Sequence, residues 1–290
     1  MNKSMNKCLE DVCEKILTNV PHIRKEISGI PLFGAVGGSM SLNLANKSSD
    51  IDFYMVVKDD PGKTAGEHKK LCISDMMVDF MCIPLDELVR ECEKYSGEER
   101  RYPTIFYRSE SEKDKIRLNK DAERPDFKRE VVGRIYLSDK ILEFEPGAVR
   151  KNYGKLNKGC RLIDLWDYHF NRAFGNYHEK IVGKEKVLLR KYLYTVSEIT
   201  ICQWLLVGNE KPVMDFKQMF TRPYCLYEDN EIIKICNELW EENRKTDMDK
   251  KEKFIFPVIY LNRWIEMQLT ILLSEMQKKE NYLKNSVLNI

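Results

Sequence analysis

Two periodicities divide the chain. In the first half, short apolar runs are bounded by glycines and polar links. Phe33–Val36 and Phe53–Val57 are such runs, and Met76–Ile83 is a third, broken only by Asp79. Runs of this length between turn residues predict strands. Before them, Cys8, Leu9, Val12, Cys13, Ile16 and Leu17 recur at helical spacing, predicting an amphipathic helix over residues 4–20. Ser4 stands in a capping position and Pro21 where the chain leaves that helix. Residues 58–71 are polar, with Pro61, Gly62 and Gly66, and read as a connection. A helix is expected from Pro84 to Lys94, with Leu85, Leu88, Val89 and Cys92 on one side. Arg100–Arg108 reads as a strand with basic shoulders, and Ile116–Leu118 as one more short strand.

From about residue 150 the period changes to that of helices. Leu156–Arg172, Val187–Val207, Asn230–Asn243 and Phe254–Lys278 carry apolar residues at helical spacing, and Gly208-Asn209 supplies a stop. The change falls at Glu145-Pro146-Gly147. The expected class is α+β. Residues 1–147 form a small mixed β-sheet domain with flanking helices, and 148–290 a C-terminal bundle of four or five helices.

Composition narrows the function classes. The 290 residues are 43% hydrophobic and 32% charged, as in a globular protein with an ample core. The formal net charge of +2 argues against general coating of nucleic acid. Nine cysteines are scattered without a CxxC pair, the pattern of reduced thiols in a cytoplasm, and no Cys/His spacing suits zinc. No apolar run reaches membrane-spanning length and no secretory leader is visible, so no membrane partner is expected.

The chemistry concentrates in FGAVGGSMSLNLANKSSDIDFYMVV, residues 33–57. In a strand, residues i and i+2 share a face, so Asp50 and Asp52 project together. Adjacent carboxylates repel unless a cation sits between them, and oxygen ligands alone suit Mg²⁺ or Mn²⁺. Gly37 and Gly38 carry no Cβ and let a phosphate approach backbone N–H groups. Ser39 is placed to donate to the same phosphate. Asp79, an acid inside an apolar strand, becomes a third carboxylate at the same spot if its strand lies beside Phe53–Val57. Asp50, Asp52 and Asp79 are thus the candidate metal ligands and catalytic residues, and Gly38 and Ser39 the candidate nucleotide contacts.

Gly38-Ser39, the ten-residue gap, Asp50-x-Asp52 and Asp79 resemble the DNA polymerase β-like nucleotidyltransferase superfamily. The likeness covers roughly residues 30–84. Within it, GGS followed by SDID is similar to the bacterial enzymes that adenylylate aminoglycoside and lincosamide antibiotics. A second likeness, to RNA-repair-associated polymerase-β-like proteins, runs through Lys184–Val187, Arg190–Tyr194, Trp204 and Lys211–Phe216. The chain departs from those proteins at Met40, where they usually carry Arg. The resemblance implies transfer of a nucleoside monophosphate, from ATP or another NTP, to a hydroxyl of a small-molecule acceptor such as an antibiotic. It leaves open an RNA or protein acceptor, a nucleotide-binding regulator without turnover, and a homodimer. It also implies basic and hydroxyl groups of the helical half at the β- and γ-phosphates. Lys184, Lys191 and Tyr194 are candidates, the last two on one helix face. His22, His68, His169 and His178 read as structural or loop histidines, and the four tryptophans as core.

Overall fold

The computed structural model describes residues 3–45, 49–58, 68–94, 133–135, 137–138, 140–152, 162–207, 212–221, 224–245 and 253–287. The strands expected at Arg100–Arg108 and Ile116–Leu118 lie outside these residues. The fold is mixed, as expected: a sheet carrying helices on its faces, with helices dominating the C-terminal part.

Helices α1 (Lys3–Thr18) and α2 (Val20–Glu26) lead the chain. Pro21 opens α2 rather than following a helix, because proline lacks only an N–H that the first turn leaves unused. Strand β1 (Ile30–Val36) runs into the one-turn helix α3 (Gly38–Ser41). Strands β2 (Ile51–Lys58), β3 (His68–Ile73) and β4 (Met76–Pro84) follow, then α4 (Leu85–Lys94) and β5 (Ile141–Glu143). The sheet order is β3-β4-β2-β1-β5. Among the described residues only the β2–β4 pairing is parallel, so the sheet is mixed. β3 corrects the reading of 58–71 as a pure connection: Leu71 and Ile73 alternate inward from an otherwise polar edge strand.

The sheet separates two apolar layers. Val12, Cys13, Ile16 and Ile23 of α1 and α2 pack on one face, against Ile51, Phe53, Met55 and Val57 of β2 and Val78, Phe80 and Cys82 of β4. Tyr54, Val56 and Ile83 point to the other face and join the helical core. β2 is buried on both faces, which is why it reads as an unbroken apolar run. The register of β1 on β2 skips at Leu32, between Pro31 and Phe33. That irregularity puts Leu32 and Phe33 together in the helical core.

The helices are α5 (Leu162–Lys180), α6 (Leu189–Val207), the single turn α7 (Phe216–Met219), α8 (Asn230–Arg244) and α9 (Ile259–Val287). A two-stranded ribbon pairs β6 (Val187–Leu188) with β7 (Phe254–Ile255). α6 is the central helix, burying Leu193, Val196, Ile199 and Ile201 along with Thr195, Ser197, Glu198 and Thr200. Its hydroxyls return to backbone carbonyls one turn earlier, as in Thr195 to Lys191 O and Thr200 to Val196 O. One apolar cluster runs from Phe33, Ala35 and Val56 of the sheet to Tyr192, Trp240 and Leu272 of the helices. Among the described residues no helix is long and apolar enough to cross a membrane.

Candidate functional site

The glycine turn and the carboxylate strand meet through the backbone. Gly37 N donates to Asp52 O at 2.8 Å, extending the β1–β2 pairing by one residue. Gly38 follows with φ +58°, a conformation that favours glycine. A Cβ on Gly38 would overlap Asp52 Oδ2, and one on Gly37 would overlap the Tyr54 ring. Both glycines are therefore required by close approach, and the backbone of the turn lies directly against the Asp52 carboxylate.

In the parallel β2–β4 ladder Asp52 is the register partner of Asp79. Both are in phase with the helix-facing residues, Tyr54 and Val56 on β2 and Met81 and Ile83 on β4. Adjacent strands lie about 4.8 Å apart, so two acids project side by side from one edge of one face. Asp50 precedes β2 and is exposed. The expected convergence of all three acids is met for Asp52 and Asp79. Among the described residues no group of three His, Cys, Asp or Glu side chains is gathered closely enough to hold a metal ion.

Asp79 has other company. On β3, Lys70 is its cross-strand partner, with Nζ 3.6 Å from Oδ2. His68, two residues away on the same face, places Nε2 against Oδ1, outside hydrogen-bond geometry. Sequence reasoning missed both, because β3 lies in a segment whose polarity masks its two inward positions.

The helical half reaches the site through Tyr194, whose phenol interacts with the Ser39 side chain. Burial raises the phenol's pKa, and Asp52 adds to that rise. Arg190, Ser39 and Arg172 oppose it. Tyr194 therefore sits among an acid of β2, the serine of the turn and two guanidinium groups. Lys191 faces α5 instead, with Nζ 3.4 Å from Asn176 Oδ1. Lys184 lies in the turn after α5, at the surface. Arg172 and Arg190 are the basic groups that sequence reasoning missed. Arg190 was legible as the residue one helical turn before Tyr194, whereas Arg172 lies on a different helix.

Behind this layer is a buried charged cluster. Glu198 on α6 is fully buried. Its Oε1 lies 3.1 Å from Arg172 Nε and 3.9 Å from Arg134 Nη2, and its Oε2 contacts His169 Nδ1. Arg134 Nη2 donates to the Tyr168 hydroxyl at 3.0 Å, and Arg172 Nη1 donates to the same oxygen. Burial alone would raise the Glu198 carboxyl, but His169, Arg172 and Arg134 outweigh it and hold it at about 2. Burial lowers the His169 ring, with Glu198 opposing.

No protein-family model and no curated protein matches the chain. The chemistry of the site therefore rests on its own residues.

Proposed function

We propose that this protein is a magnesium-dependent nucleotidyltransferase that moves a nucleoside monophosphate, AMP from ATP, onto a hydroxyl of a small-molecule acceptor. The observation that carries this reading is the register of Asp52 against Asp79, with Gly38 pressed on Asp52 and Tyr194 beside Ser39. The motif likeness of Gly38-Ser39, Asp50-x-Asp52 and Asp79 to polymerase β-like enzymes points the same way.

In this reading the glycine turn and Ser39 receive the triphosphate. Arg172 and Arg190, both acting on Tyr194, supply positive charge on the helical side. Asp79 orients the acceptor hydroxyl and takes its proton. The acceptor oxygen then bonds to the α-phosphorus, the bond from that phosphorus to the bridging oxygen breaks, and pyrophosphate leaves. The carboxylate oxygens of Asp50, Asp52 and Asp79 are donors of the kind Mg²⁺ or Mn²⁺ takes, and an ion held by them would supply charge neutralisation for the polyphosphate. For Asp79 to join such a set, its carboxylate has to exchange His68 and Lys70 for the ion.

Calorimetry with each NTP and Mg²⁺ tests the reading, on wild type and on Asp50→Asn combined with Asp52→Asn. Magnesium-dependent binding of one NTP, lost in the double variant, supports it. Equal binding by both proteins overturns the metal assignment. The contacts of His68 and Lys70 with Asp79 favour a second reading, a nucleotide-binding protein without turnover. That reading predicts NTP binding with no pyrophosphate release in the presence of any acceptor.

A further inference from the structure

The loop that leaves the glycine–serine turn has no secondary structure of its own to satisfy its carbonyl groups. Leu42 and Leu44 are fully buried, so those groups need donors from elsewhere. Three consecutive carbonyls take donors from the C-terminal helices. Phe216 N, at the start of α7, donates to Leu42 O at 2.9 Å. Trp240 Nε1 donates to Asn43 O at 2.8 Å, and Asn243 Nδ2 to Leu44 O at 2.9 Å, both from α8. A fourth bond runs from the Asn43 side chain to Asp215 Oδ2 at 2.9 Å, while Asp215 Oδ1 caps α7 through Gln218 N.

Each donor is itself fixed. Trp240 is 1% exposed and carries Lys217 and Arg244 over its ring, and Asn243 is 2% exposed. By contrast, the indole N–H groups of Trp166 and Trp204 are buried without a hydrogen-bond partner among the described residues. The grip passes directly to the turn. Leu44 N donates to Ser39 O at 2.8 Å and Asn43 N to Met40 O at 3.1 Å. Asn43 holds φ +54°, a conformation that asparagine tolerates better than most residues. Ser39 is thus held at its carbonyl through this loop.

We infer that Trp240 and Asn243 are positioning residues: through the carbonyls of Asn43 and Leu44 they fix the Gly38-Ser39 turn against the Asp52 carboxylate. α8 is then part of the site's frame. The consequence for nucleotide affinity rests on the function proposed above.

The test compares Trp240→Phe, which keeps an aromatic ring but loses the donor, and Asn243→Ala with wild type and Ile233→Val. Ile233 packs on the same core from α8 and has no side-chain donor to offer the loop. Hydrogen exchange over residues 38–45 and magnesium-dependent ATP binding are measured on all four proteins. Trp240→Phe and Asn243→Ala should each speed exchange there, and weaken ATP binding, by about five- to tenfold, the factor one ordinary hydrogen bond supplies. Ile233→Val should leave both unchanged even where its melting temperature falls. Wild-type exchange rates in Trp240→Phe overturn the inference. Faster exchange with unaltered ATP affinity overturns the positioning role and leaves only a structural contact. If wild type binds no nucleotide, the proposed function fails, and faster loop exchange in the two variants still supports the hold of α8 on the turn.

Discussion

Two groups of charged residues lie on either side of Tyr194, and they are built by opposite rules. Behind it, Glu198 faces the guanidinium groups of Arg172 and Arg134, opposite charge against charge, and contacts the His169 ring, with no exposure of the acid. In front of it, Asp52 and Asp79 stand side by side in the ladder, like charge against like, each partly open to solvent. Arg172 belongs to both environments. Its Nε lies on Glu198 while its charge acts on Tyr194. A buried acid held by cations is costly to break, because removing one member leaves the others desolvated and uncompensated. Two acids in register gain little from each other, and in the proposed function they hold a bound cation. On that proposal the contrast separates groups that hold the fold from groups that hold a ligand.

The largest effect should therefore come from Glu198→Gln. It keeps the shape and removes the charge that two guanidinium groups face. We expect a loss of about 3–5 kcal/mol in urea unfolding. A loss below about 1 kcal/mol would place the cluster among exposed ion pairs of small worth and dissolve the contrast.

Acid should act on the same group. The folded Glu198 carboxyl titrates at about 2 and its ordinary value is 4.5, so the unfolded chain binds more protons between these values. The contribution of this residue is present above 4.5 and falls as pH drops toward 2, by about 3 kcal/mol. The lowered His169 ring works in the same sense, beginning below its ordinary 6.5. Unfolding free energies at pH 7, 5.5 and 4 should fall in that order. Glu198→Gln should flatten the part of the decline below 4.5. An equal decline in the variant would assign the acid sensitivity to other carboxylates.

Gly38→Ala probes the front group. The added methyl overlaps Asp52 Oδ2 and forces a side chain into φ +58°. The cost should be about 1–3 kcal/mol, with magnesium-dependent nucleotide binding lost from a protein that still folds. Tight binding in the folded variant would show that the turn does not receive the phosphates.

How much of this was legible differs between the two groups. The front group follows from local periodicity. Asp79 is the one acid in an otherwise apolar run, so it stood out by propensity, whereas the place of its strand beside β2 was only a condition that the sheet then met. The lysine and histidine that meet Asp79 were hidden, because β3 shows only Leu71 and Ile73 as inward positions within a polar stretch. Pro21 was misplaced because proline suits both the end of one helix and the first turn of the next. Val187-Leu188 read as helix, since two residues carry no period of their own, and their strand character comes from a partner at 254–255. The rear group was not legible. His169 and Arg172 share α5, but Glu198 is on α6 and Arg134 precedes β5, and no spacing rule brings these three places together. The hold of Trp240 and Asn243 on Asn43 and Leu44 joins residues almost 200 positions apart, 197 and 199 in sequence.

The smallest stability effect should come from Asp52→Asn, and it sharpens the comparison most. The substitution keeps the side chain's size beneath Gly38 and removes one of two like charges in register. Cross-strand pairs of this kind contribute about 0.2–1 kcal/mol in either direction, so the unfolding free energy should stay within about 1 kcal/mol of wild type. Magnesium-dependent nucleotide binding should nevertheless disappear. Asp79→Asn should also change stability only modestly, because Lys70 and His68 are exposed and re-solvate when their acid is neutralised. Combining the two substitutions gives a double-mutant cycle that reads the coupling between the acids directly. A repulsive coupling that vanishes when Mg²⁺ and nucleotide are added would mean that the two carboxylates share a bound cation. A loss of stability from Asp52→Asn as large as that from Glu198→Gln would mean that Asp52 holds the fold, and the division between the two groups would fail.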